Sequence, residues 1–123
     1  MKNFMISKAL SFDSDVIVFI DMDDFLSKNS IDYHLESLKV AEISFGNMNF
    51  INSEKSKLNT NLFKNSNIPI RIYNYKPLLK GNFMGFSNTA IKTNFLKKNF
   101  VKIPSHLKAS DWWLFTYLLT KKN

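Results

Sequence analysis

Residues 16–25 read Val-Ile-Val-Phe-Ile-Asp-Met-Asp-Asp-Phe, an unbroken apolar run that stops at three carboxylates within four positions. Five consecutive β-branched or aromatic residues without polar alternation suit a central parallel strand covered on both faces. Strands of that kind present ligand-binding groups at their carboxyl ends, which is where Asp21, Asp23 and Asp24 fall. Carboxylates this close repel one another unless a cation neutralises them, and hard oxygen donors suit Mg²⁺ or Mn²⁺ carrying a phosphate. Aspartate also favours strand-end turns and helix entries, so a purely structural cluster is the alternative. Three acids behind a buried strand are costly without a cation, which favours the metal.

The 123 residues suffice for one domain with a real core, and 45% hydrophobic and 15% aromatic content excludes a disordered tail. The absence of cysteine excludes disulfides, thiolate zinc sites and cysteine nucleophiles, and His34 and His106 do not make a zinc site by themselves. Any metal is therefore held by oxygen. The net charge of +7 is carried almost entirely by lysine, since Arg71 is the only arginine. Anionic partners follow: nucleotide phosphates or an anionic membrane leaflet, with arginine scarcity weighing against readout of nucleic-acid bases. A lysine-rich solvated surface is the more ordinary account of the charge, which decides nothing alone. The apolar run in Met1 to Leu10 is too short for a signal peptide and no later segment is long enough to span a bilayer. A cytoplasmic protein is expected, with peripheral attachment at the inner face of the membrane left open.

Along the chain, residues 2–12 predict a short amphipathic helix that turns Phe4, Ile6 and Leu10 inward, with Met5 and Ala9 as further candidates, and keeps Lys2 and Lys8 in water. Ser30 suits the cap of a second helix in which Ile31, Leu35 and Leu38 share a face. Residues 41–51 read as strand with a turn or bulge at Gly46-Asn47, and 53–67 as an exposed polar loop holding at most a short helical piece. Residues 68–73 predict an edge strand because Pro69 lacks a donor, and 83–86 a further strand. Ser87 or Asn88 then caps a helix running to Lys98, and Ser110 caps a last helix with Trp112, Phe115, Leu118 and Leu119 on one stripe. His34 is expected on the surface of its helix and His106 in a loop. The sum is a single mixed α/β layer over residues 1–123 without internal repeats.

In order and spacing, three places resemble a family 2 glycosyltransferase of the nucleotide-sugar-dependent GT-A type. Asp21-Met22-Asp23-Asp24 after its hydrophobic strand is similar to the family's DxD motif. Lys80-Gly81-Asn82-Phe83-Met84-Gly85-Phe86-Ser87-Asn88-Thr89-Ala90 resembles the glycine-bearing segment that lines the sugar and acceptor pocket. Ser110-Asp111-Trp112-Trp113 stands where the family shows an acidic pair ending in its catalytic aspartate. The resemblance implies a partial GT-A, Rossmann-like mixed sheet flanked by helices. It implies Asp23 and Asp21 as ligands of Mn²⁺ or Mg²⁺ beside the nucleotide diphosphate, with Asp24 as helper. Asp111 becomes the general base of an inverting displacement, and Gly81, Asn82, Gly85, Trp112 and Trp113 the acceptor pocket. The activity implied is sugar transfer from a nucleotide-sugar donor to a glycan or lipid-linked acceptor, in bacterial surface polysaccharide synthesis.

The chain departs from the family in two places. Ser110 replaces the usual glutamate before the catalytic aspartate, and the βαβα unit that binds the nucleotide base is missing ahead of the first helix. The expectation is a catalytic piece incomplete at both ends, with one exposed sheet edge, a tendency to self-associate, and weak or absent turnover alone. Three other readings stay open. A haloacid-dehalogenase-type phosphatase shares the strand ending in Asp-x-Asp, but Asp24-Phe25 stands in place of its glycine and threonine, and no later acidic pair follows. A lesion-bypass polymerase needs further acidic motifs and more chain. A glycosyltransferase-derived interaction module needs neither.

Overall fold

The strand at the middle of the molecule lies in a stretch expected to be helical. In the computed structural model, which describes residues 1–54, 57–65, 68–69 and 71–121, Thr89–Lys92 forms β5 of a three-stranded sheet. It is flanked by β1 (Val16–Val18) and β2 (Ile43–Phe45) in the order β1-β5-β2, and both pairings are antiparallel. The expectation of a central, parallel β1 is therefore corrected on both counts: β5 is the central strand and β1 is an antiparallel edge strand. Its apolar run reflects packing on two faces: Ile17 is buried in the core, while Val16 and Val18 are half-buried on the other side. Period-two alternation makes one face from Ile17, Ile91 and Ile43 in one row and Phe19, Thr89 and Phe45 in the next.

That face carries the core. Ile17 and Ile91 pack with Met84, Phe86, Leu96, Leu114, Phe115 and Leu118. Helix α1 (Lys2–Leu10) contributes Ile6, α4 (Thr93–Asn99) contributes Leu96, and α5 (Ser110–Thr120) contributes four buried residues from Leu114 to Leu119. In α1 only Ile6 is fully buried, with Ala9 and Leu10 partly so; Phe4 and Met5 are exposed, against expectation. No side chain caps α5: Ala109 holds the cap position, not Ser110.

The other face of the sheet meets α2 (Ser30–Leu38), where the expected Ile31-Leu35-Leu38 stripe is corrected. Ile31 and Leu35 are exposed, and the buried pair is His34 and Leu38. The His34 ring reaches the buried Ser44 hydroxyl on β2, Nδ1 to Oγ 2.9 Å, and this bond makes burial of an imidazole tolerable. Burial pushes its pKa below the ordinary 6.5 because water is lost around the charged form. The unfolded chain therefore takes up this proton first as the pH falls. The His34 contribution to stability should be complete above about pH 6.5 and lost as the pH drops from there toward the lower folded-state value. Thermal melts between about pH 8 and pH 5 check this: the midpoint falls in the acid limb, and His34→Gln flattens that fall.

A second, two-stranded sheet pairs β3 (Asn49–Ile51) with β4 (Lys57–Asn61), which leads into α3 (Leu62–Asn65). The polar tract read as a loop thus holds a strand, while its short helical piece is present. Asparagines fix it beside the packing of Leu62 on the core and of Phe63 on Phe45: Asn47 Oδ1 accepts from the Met48 and Phe63 amides, and Asn61 Oδ1 from Lys64. Residues 68–69 and 71–73 form no strand, nor do 83–86, where Phe86–Asn88 is a single 3₁₀ turn. Among the described residues no helix is long and apolar enough to cross a membrane. The whole is a small mixed α/β fold.

Candidate functional site

The turn at 85–88 brings together the three places singled out in the sequence. Beyond β1 the chain reaches Asp21, whose amide donates to the Ser87 hydroxyl at 3.0 Å. From α5, the Asp111 carboxylate lies against Gly85: a Cβ built on that glycine would sit 3.4 Å from Asp111 Oδ2 and 3.5 Å from Asn88 Oδ1. Gly85 has extended backbone, φ −91°, and an added Cβ would be in ordinary contact with both side chains, so neither conformation nor a clash demands glycine here. Asp21 and Asp111, ninety positions apart in the chain, thereby border one turn.

Asn88 holds that turn in place. It is 3% exposed, and its side chain satisfies three backbone groups. Oδ1 accepts from Gly85 N–H at 2.7 Å, and Nδ2 donates to the Gly46 and Phe83 carbonyls at 2.8 and 2.9 Å. Gly46 N–H returns a bond to the Asn88 carbonyl at 2.7 Å, tying the turn to the end of β2. Beneath it, the Phe86 ring packs on Phe19 and Phe115, with centroids 5.1 and 5.7 Å away.

One contact was not foreseen from sequence. Lys2 is exposed, as expected, and places its ammonium 4.3 Å from the Phe86 ring centroid, a favourable cation–π geometry. Lys2 precedes the buried Ile6 by four positions, so helical spacing alone puts both on one face. A cation therefore stands next to the turn that receives Asp21 and Asp111.

Asp21, Asp23 and Asp24 are exposed on a tight turn, closed by Asp24 N–H donating to the Asp21 carbonyl at 3.1 Å. Among the described residues no three histidine, cysteine or acidic side chains form a ready-made metal cage. The donor set is at most that of a Mg²⁺- or Mn²⁺-type cation, which binds through one or two carboxylates beside substrate phosphates and water, and the exposure of all three acids removes the desolvation cost that argued for a cation. It does not fit a cation that needs an all-protein shell.

The expected acceptor pocket is divided. Gly85 adjoins Asp111, whereas Gly81 opens on free space and Asn82 is exposed. Trp112 and Trp113 lie on the outer face of α5, where with Leu79, Ala109, Thr116 and Tyr117 they line an open groove of about 460 Å³. Helical spacing puts Asp111 on the side shared with the buried Leu114, Phe115 and Leu118, away from that groove. Trp112 is 37% exposed, so its expected place in the core is corrected; its Nε1–H donates to the Leu78 carbonyl at 2.7 Å. Asp111 Oδ1 accepts from the Trp112 amide at 2.8 Å.

No protein-family model, no curated protein and no solved structure matches this chain.

Proposed function

We propose that the chain carries the donor-phosphate and base end of a metal-dependent glycosyltransferase site on a partial GT-A-like fold. It would move a sugar from a nucleotide-sugar donor to a glycan or lipid-linked acceptor, in work such as bacterial surface polysaccharide synthesis on the cytoplasmic side of the membrane. The observation that carries this reading is the approach of Asp21 and Asp111 to the single turn 85–88. In this reading Asp23 and Asp21 hold Mn²⁺ or Mg²⁺, which when bound supplies Lewis-acid neutralisation of the departing diphosphate. Asp24 lies at the same turn as a helper. Asp111 accepts the proton of the attacking acceptor hydroxyl as general base.

The test is a thermal melt of the purified chain with Mn²⁺ plus UDP, GDP or CMP. A ligand that binds only the folded state at a hundredfold excess over Kd adds about 2.7 kcal/mol, a rise of several degrees. One nucleotide should give a rise that chelator removes and that Asp23→Asn loses. A cooperative melt indifferent to all three nucleotides would favour the interaction-module reading instead.

A further inference from the structure

The side of α5 turned away from Asp111 plays no part in that site, yet it carries large aromatic rings, Trp112 exposed and Trp113 and Tyr117 half-buried against the edge of the core. Ala109, Trp112, Trp113, Thr116 and Tyr117 recur at helical spacing along the groove, with Leu79 at its margin, 64% exposed. Trp113 stacks on Tyr117 with centroids 5.2 Å apart and planes 4° from parallel, and the Trp112 indole is pinned by its bond to the Leu78 carbonyl. One lysine lies on this face and two more are next to it in the chain. The Lys121 ammonium lies 5.0 Å from the Tyr117 ring centroid, and the exposed Lys80 and Lys108 adjoin the lining residues Leu79 and Ala109 in sequence.

The charge of the chain is divided along its length. Thirteen of the seventeen basic residues, but only one of the ten acidic residues, lie beyond Glu54. That one acid is Asp111, which α5 turns toward the core side. The groove is thus an apolar aromatic surface with lysines adjoining it in sequence, without an acid on its own helix face. Indole and phenol rings combine an apolar body with a polar edge and concentrate at the headgroup level of bilayers. Flanking lysines are drawn to anionic lipid phosphates.

We propose that this face docks the protein on an anionic bilayer surface, with Trp112, Trp113 and Tyr117 at headgroup depth and Lys80, Lys108 and Lys121 on lipid phosphates. The proposal deepens the membrane-side placement in the functional reading. It rests on residues separate from Asp21, Asp23 and Asp111, so that either can fail while the other stands.

The experiment is co-sedimentation of the full chain with vesicles of phosphatidylcholine alone and with about 30 mol% phosphatidylglycerol, read together with tryptophan emission. Trp112 and Trp113 are the only tryptophans, so emission reports on this face alone. Binding to the anionic vesicles should be about tenfold or more stronger than to neutral ones and should carry a blue shift. Leu79→Glu should reduce binding, as should Lys80→Glu with Lys108→Glu; all three positions are exposed, so the melting midpoint holds. Three results would overturn the proposal: no binding, binding without a blue shift, or binding that both variants leave intact. A dimer that Leu79→Glu dissociates, from a chain indifferent to vesicles, would also overturn it and assign the face to a second copy.

Discussion

Replacing Asn88 by alanine is expected to be among the most destabilising single changes in the chain. The substitution removes the partners of Gly85 N–H and of the Phe83 and Gly46 carbonyls, in a place where the side chain is 3% exposed. A buried backbone group left unpaired costs about 1–3 kcal/mol; the Phe83 carbonyl is buried and the Gly85 and Gly46 groups are half-buried, where water offsets part of the loss, so roughly 2–4 kcal/mol is expected. For a domain of this size that lowers the melting midpoint by about 10–20 °C. Asn88→Asp separates the causes. It preserves volume and still accepts from Gly85, but turns a carboxylate oxygen toward two carbonyls that need a donor, and should cost about as much as alanine. The nucleotide-dependent rise in midpoint should vanish with either variant even below the melt, because Gly85 and Ser87 lose their support. Calorimetry checks the account; a midpoint within about 2 °C of the parent would contradict it.

Phe115→Ala should have a comparable effect for a different reason. Phe115 is fully buried and packs its ring against Phe86 at 5.7 Å and Phe19 at 6.3 Å. Deleting it leaves a cavity at the centre of the core, for which about 3–5 kcal/mol is typical. That is a large part of the roughly 5–15 kcal/mol available to a folded domain. Phe115→Leu fills most of the space and should cost markedly less. Because Phe86 also supports the Lys2 ammonium, the cavity reaches the turn as well as the core. A double-mutant cycle with Phe86→Ala should show strong coupling, since both rings share one contact. Denaturant unfolding of the four proteins measures it, and simple additivity would argue against the shared aromatic cluster.

What could be read from the sequence follows physical lines. The apolar run at 16–20 identified a strand, because burial leaves a direct mark on composition, but the strand stops at Val18 and Ile20 is exposed. The direction of its neighbour left no such mark, since β5 lies seventy residues away and the same run serves a parallel or an antiparallel partner. Thr89–Lys92 was misread through Asn88. A polar residue before an apolar segment resembles a helix cap, but here the amide reaches backward to Gly85 and Phe83, leaving the next four residues free to pair. His34 was misplaced because its partner, Ser44, lies on another element. The same holds for Trp112, whose exposure depends on a carbonyl at position 78. The three site segments were each legible as residues; that Asp21 and Asp111 adjoin one turn was not a local property of any of them.

That junction is the central claim, and paramagnetic broadening by Mn²⁺ tests it most directly. In amide spectra of the ¹⁵N-labelled chain with UDP and sub-stoichiometric Mn²⁺, signals should fade first at 21–24, 85–88 and 111–112 together. The effect should be lost in Asp23→Asn. Broadening confined to 21–24, or spread evenly over exposed acids such as Asp32 and Glu36, would mean that the three segments do not form one site.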